Sequence, residues 1–227
     1  MRGGKPKGLV KCVWSPEFTY AIGLLAADGS LSSNGRHIDF TSKDKCQVEN
    51  FSIALGIKGI KIGEKFSGRV GDGTVYYRLQ FGDVLFYRFL QKIGFSSAKS
   101  TTLGAIEIPD EYFFDFLRGV FDGDGCIYSY WDKRWKSSFM FYVSFISAAP
   151  DFLIWIRANL NKYLKIHGHV DTRKPDGKRK QYQQLKYAKK ESLLILKQMY
   201  KNPKIAVLLP RKYLKAKEIL AIVGEQI

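Results

Sequence analysis

The chain has 227 residues, 45% of them apolar, enough for one large domain or two small ones with real cores. It carries 37 Lys and Arg against 21 Asp and Glu, a formal charge of +16, and both halves share the excess: +7 over residues 1–105 and +9 over 106–227. No run of 18 apolar residues appears, which excludes a membrane-spanning helix, and the three cysteines (Cys12, Cys46, Cys126) lack the CxxC spacing of structural zinc.

The basic opening MRGGKPKGLVKCVW lacks an apolar signal core, so the expected location is intracellular: cytoplasm, nucleoid or an organelle matrix. The stretch AIGLLAADGS, residues 21–30, reads as an apolar helix ending at Asp28 and Gly29. A short strand, a loop at 32–35 and the strand HIDFTSK follow, then a helix at about 44–56. Next comes the hairpin IKIGEKFSGRVGDGTVYYRLQFG, turning at Asp72 and Gly73, and the helix VLFYRFLQKIG. The segment FSSAKSTTLGAIEIPDE contains no periodic element and reads as a linker, residues 95–111, between a first domain over 1–94 and a second over 112–227.

The second domain repeats the order of the first. FLRGVFDGDG, residues 116–125, is again an apolar helix ending in an acid, Asp124, 96 residues after Asp28. The strand CIYSYW, a basic loop DKRWK and the strand SFMFYVSFIS follow, then a helix at about 150–163. The hairpin HGHVDTRKPDGKRKQYQQLKYA, turning at Asp176 and Gly177, and the helix ESLLILKQMY complete it. The expected fold class is therefore α+β, with αββαββα occurring twice.

Both hairpins alternate with period two. In the first, Lys61, Lys65, Ser67, Arg69, Thr74, Tyr76, Arg78 and Gln80 share one face, while Ile62, Phe66, Val70, Val75, Tyr77, Leu79 and Phe81 point to a core. In the second, His167, His169, Asp171, Arg173, Lys178, Lys180, Tyr182, Gln184 and Lys186 make the polar row. A solvated sheet face ordinarily mixes both signs, and these rows contain one acid, Asp171. Faces rich in Lys, Arg, Gln and Tyr, in a chain positive throughout, point to nucleic acid.

A helix C-terminus carries partial negative charge, so Asp28 and Asp124 stand where a cation would be favoured. Gly23 with Ala27, and Gly119 with Gly123, lie four apart, a spacing that lets two helix backbones approach closely. If the repeats pack by these faces about a pseudo-twofold axis, both acids meet among exposed helix carbonyls. Two carboxylates and two negative helix ends tolerate one another only around a cation, and an all-oxygen donor set suits Mg²⁺.

The stretches AIGLLAADG (21–29) and LRGVFDGDG (117–125) resemble the paired motif of LAGLIDADG homing endonucleases, of the single-chain, two-repeat kind. The first departs at its sixth position, where Ala26 replaces an acid. The resemblance implies two pseudo-symmetric domains sharing a central helix pair, with curved antiparallel sheets forming a saddle on DNA. It implies a monomer that binds a long double-stranded target and cuts one phosphodiester in each strand across the minor groove, leaving 3′ overhangs. It implies Mg²⁺ held by Asp28 and Asp124 with the carbonyls of Ala27 and Gly123, Mn²⁺ or Ca²⁺ substituting in binding, and residence in an intron or intein.

By the same resemblance Lys43, Lys99 and Lys204 stand near the metals as catalytic basic residues, Ala148 faces Lys43 across the alignment, and Ser42 and Ser147 order water. Two rival readings share the fold: an intron maturase that assists RNA splicing, and a DNA-binding regulator that does not cut. The HGH at 167–169 lacks a third metal ligand, and GRVGDG at 68–73 lacks the Lys-Ser/Thr of a phosphate loop, so both read as surface structure.

Overall fold

The computed structural model describes residues 8–66, 73–97, 99–135, 137–173, 181–202 and 207–227, Arg173 by its backbone alone. The first repeat runs α1 (Pro16–Asp28), β1 (Gly29–Leu31), β2 (His37–Ser42), α2 (Lys45–Ala54), β3 (Gly63–Phe66), β4 (Val75–Gly82) and α3 (Val84–Lys92). A helical turn, α4 (Lys99–Thr102), lies within the segment read as linker. The second repeat runs α5 (Phe113–Asp124), β5 (Gly125–Trp131), β6 (Phe139–Ser147), α6 (Pro150–Leu164), β7 (His169–Arg173), β8 (Tyr182–Ala188) and α7 (Lys189–Met199), and α8 (Pro210–Ile222) follows. The αββαββα order thus occurs twice.

Each repeat forms one antiparallel sheet, ordered β1-β2-β4-β3 and β5-β6-β8-β7. The registers correspond: Gly29 pairs with Phe40, and Gly125 with Phe145. Alternation sends Ile38, Phe40, Leu79 and Phe81 of one sheet, and Ile127, Phe141, Val143, Phe145 and Leu185 of the other, into a core shared with the helices. Phe66 departs from this pattern. The alternation assigns it to the core, but β3 is the sheet's edge strand, all four of its residues are exposed, and Phe66 is 67% exposed.

The helices α1 and α5 cross at their glycines, and the contacts are reciprocal. A Cβ on Gly23 would stand 2.1 Å from the carbonyl oxygen of Phe116; one on Gly119 would stand 2.1 Å from that of Tyr20. Both pairs are related by the same 96-residue offset, which is the pseudo-twofold expressed at the backbone. Only residues without a Cβ permit this crossing.

The ends of α1 are set locally. Ser15 Oγ accepts the amide of Phe18 at 3.1 Å, Pro16 occupies the first turn, and Gly29 caps the C-terminus. Among the described residues no helix is long and apolar enough to cross a membrane.

Candidate functional site

The crossing brings both C-terminal acids together. A Cβ on Gly123 would lie 3.0 Å from Asp28 Oδ2 and 2.3 Å from the Cβ of Ala27, so the Asp28 carboxylate reaches across the axis to the end of α5. Asp28 is half-buried, and Asp124 stays open to solvent. Burial, then the charge of Asp124, pushes the Asp28 carboxyl up to about 6. The surrounding protein also raises Asp124, and Lys99 and Lys212 oppose the shift at both acids.

Lys99 is buried. Its Nζ donates to the carbonyls of Ala26 (2.9 Å) and Ala27 (3.0 Å), two of the unpaired acceptors that end α1. The lysine at the second motif is Lys212, on α8. Its buried Nζ donates to the carbonyls of Phe121, Asp122 (2.9 Å), Gly123 (3.1 Å) and Gly125 (2.7 Å). Burial lowers both ammonium groups to about 8. The predicted second-repeat lysine, Lys204, lies outside the described residues.

Asp122, the sixth residue of the second motif, explains how Lys212 arrives there. Its Oδ2 accepts both the Tyr20 hydroxyl and the amide of Leu209, each at 2.8 Å, so it ties α1 to the start of α8. Lys212 follows one turn later. Complete burial pushes the Asp122 carboxyl up to about 6, against the hydrogen bond from Tyr20 and the charge of Lys212. The first repeat has Ala26 at this position, and the turn carrying Lys99 is four residues long where α8 has thirteen.

Lys43 is exposed, its Nζ 5.3 Å over the ring of Tyr76. Ser42 Oγ donates to Gln47 Oε1 at 2.6 Å, and Ser147 Oγ accepts the amide of Ala149 at 3.1 Å, so both are engaged locally.

The polar sheet faces form in part as the alternation requires. Register places Tyr76 beside Lys65, and Gln184 beside Asp171, with Lys186 beside His169. Lys61 precedes β3, and Thr74 precedes β4. Tyr182 pairs with Arg173 along the backbone. Ser67, Arg69, Lys178 and Lys180 lie outside the described residues.

A reading confined to the hairpins misses Asp39, which β2 places on the same face. It pairs with Arg78 and accepts the Thr41 hydroxyl at 2.9 Å. Asp171 lies 3.2 Å from His169 Nε2, and Gln184 donates to Ser144 Oγ at 2.9 Å.

Among the described residues no three His, Cys, Asp or Glu side chains gather as one metal site. The donor set here is smaller: two carboxylates, with the Ala27 and Gly123 carbonyls beside them. Each of those carbonyls already accepts from a lysine, and its second lone pair remains. A set of one or two carboxylates suits Mg²⁺, which keeps several waters and takes substrate phosphate oxygens as ligands. Burial and the facing Asp124 raise the Asp28 carboxyl despite Lys99 and Lys212, and a divalent cation at the acids would offset both causes.

The sign of that shift makes a prediction. An acid whose folded-state pKa lies above its unfolded value of about 3.9 is destabilising when ionised. The penalty is full above about 6 and disappears as pH falls toward 4. Asp28→Asn, which has no charge to bury, should therefore melt a few degrees above wild type at pH 7.5 in EDTA, with the difference shrinking by pH 4.5. Equal melting temperatures at pH 7.5 would show that Asp28 is not strained by its surroundings.

Residues 15–94 match the model of the LAGLIDADG-like domain. No curated protein matches the chain. In structure it is similar to full-length DUF199/WhiA from Thermatoga maritima at 16% identity and TM-score 0.53, covering 96% of this chain and 64% of that one. It is also similar to the I-LtrWI LAGLIDADG homing endonuclease bound to target DNA, at 12% identity and TM-score 0.57, covering 92% of this chain and 90% of that one. A third likeness is to I-DmoI in complex with DNA and Ca, at 14% identity and TM-score 0.54, covering 88% and 97%. The chain carries a LAGLIDADG-like domain in its first repeat and has the LAGLIDADG fold over nearly its whole length.

Proposed function

We propose that this protein is a site-specific endonuclease that binds double-stranded DNA across its two sheet faces and hydrolyses one phosphodiester in each strand. The observation that carries the reading is the convergence of Asp28 and Asp124 at the crossed ends of α1 and α5, each flanked by a buried lysine. The likeness to DNA-bound homing endonucleases, one of them with Ca, supports the partner and the use of a divalent cation. Asp28 and Asp124 would hold Mg²⁺, which when bound activates water and neutralises charge on the phosphate.

The chain's own residues supply the rest. Lys99 and Lys212 tie down the carbonyls at both motif ends, which fixes where the two carboxylates stand. Their ammonium charges oppose the repulsion between the acids and the helix ends. The sheet faces hold the duplex by basic and polar side chains, so that binding and bond breaking reside in different residues. The asymmetry between Ala26 and Asp122 makes the two halves unequal, which suits a non-palindromic target read by one chain.

Because the fold is shared with WhiA, binding without scission is the alternative reading. The two separate when the protein is incubated with Mg²⁺ and a randomised duplex library, and the cut ends are sequenced. The expected result is a recurrent long sequence with paired breaks and short 3′ overhangs. Sequence-specific retention of duplexes that stay intact would favour the regulator.

A further inference from the structure

The longer second ribbon carries an aromatic row with no counterpart in the first repeat. Register aligns Phe40 with Phe145, so Tyr142 corresponds to His37, and Tyr128 to Ser32, beyond the end of β1. The first ribbon ends where the tyrosines begin: β1 has three residues, β5 has seven.

Tyr128 and Tyr142 are cross-strand partners with ring centroids 5.1 Å apart and planes inclined by 18°. Tyr130 stacks on Tyr142 at 6.1 Å and 15°, and their hydroxyls lie 3.5 Å apart. Lys186 Nζ stands 4.1 Å from the Tyr142 ring centroid. The Tyr142 ring is thus engaged by both neighbouring tyrosines and by the ammonium, and the paired hydroxyls are the row's polar groups for a partner. Tyr130 is 46% exposed, and the row continues the polar face that Lys186, His169 and Gln184 occupy.

We infer that the hydroxyls of Tyr130 and Tyr142 determine specificity by hydrogen-bonding base edges in the half-site under the second repeat, with Tyr128 and Lys186 fixing their rings. This rests on the duplex-binding reading. A phenol both donates and accepts and carries no charge, so it contributes to base choice without releasing counterions. At the first sheet's face Arg78 pairs with Asp39, and Tyr76 lies under the Lys43 ammonium. The stacked tyrosine pair with facing hydroxyls belongs to the second sheet.

The test is the double variant Tyr130→Phe/Tyr142→Phe, which keeps every ring and its stacking and removes only two hydroxyls. Wild type and variant select duplexes from a randomised library in EDTA. The expected result is relaxed base preference at adjacent positions in one half-site, roughly fivefold per hydroxyl. The dependence of affinity on salt should be unchanged, and Arg78→Ala should relax the opposite half. Unaltered preferences, or equal relaxation in both halves, would overturn the inference while leaving duplex binding intact. A wild-type protein that selects no duplex would instead refute the reading beneath it.

Discussion

Asp28→Asn and Asp124→Asn should each lower strand cleavage in Mg²⁺ by at least about 10³-fold while leaving duplex binding in EDTA nearly unchanged. Each substitution keeps the size of the side chain and removes one charge from the donor set. The residues proposed to hold the duplex lie on the sheet faces and are unchanged in either variant, so affinity without metal has no reason to fall. The acids stand against one another across the axis, Asp28 Oδ2 reaching within 3.0 Å of a Cβ position on Gly123. Loss of either one is therefore expected to slow both strands rather than leave a clean nickase. Strand-resolved single-turnover rates measure this. Cleavage at wild-type rates in both variants would remove the acids from the chemistry.

Gly23→Ala and Gly119→Ala should be severely destabilising, each by on the order of 3 kcal/mol or more, a melting temperature lower by roughly 6–12 °C. The added methyl meets a backbone carbonyl oxygen of the opposite helix at 2.1 Å in either case, and no side-chain rotation relieves a contact with backbone. The helices must separate or slide, and either movement also displaces the acids at their C-termini. Thermal melts check the stability effect. Ala at both positions with wild-type stability would show that α1 and α5 do not cross at these glycines.

The features that sequence revealed are those encoded within one element. Two apolar stretches ending in an acid and glycine, with small residues four apart, suffice to place Asp28 and Asp124 at the ends of two crossing helices. Period-two alternation likewise places Leu79 and Phe81 in the core. What escaped depends on contacts between elements distant in sequence. Lys212 reaches the second motif because Asp122 anchors the start of α8 87 residues away, a relation that no local spacing shows. The family resemblance had pointed to Lys204, which lies outside the described residues. A signal for α8 was present: Pro210 at its first turn, and apolar Ala216, Ile219 and Leu220 at helical spacing.

Lys99 was placed by its resemblance to a motif position, and its burial appears only when the helical turn Lys99–Thr102 forms in an apparently structureless segment. Phe66 was misassigned because alternation reports which residues share a face and is silent on whether anything covers it. Asp39 was overlooked on β2 because its face is shared with Arg78 only through strand pairing.

The most direct measurement is anomalous scattering from crystals of the protein with its target duplex and Mn²⁺. The expected result is manganese within coordination distance of both the Asp28 and Asp124 carboxylates and of a phosphodiester in the duplex. A well-ordered complex with no anomalous peak at these acids, or with manganese bound only elsewhere, would contradict a cation-dependent centre at the crossed helix ends.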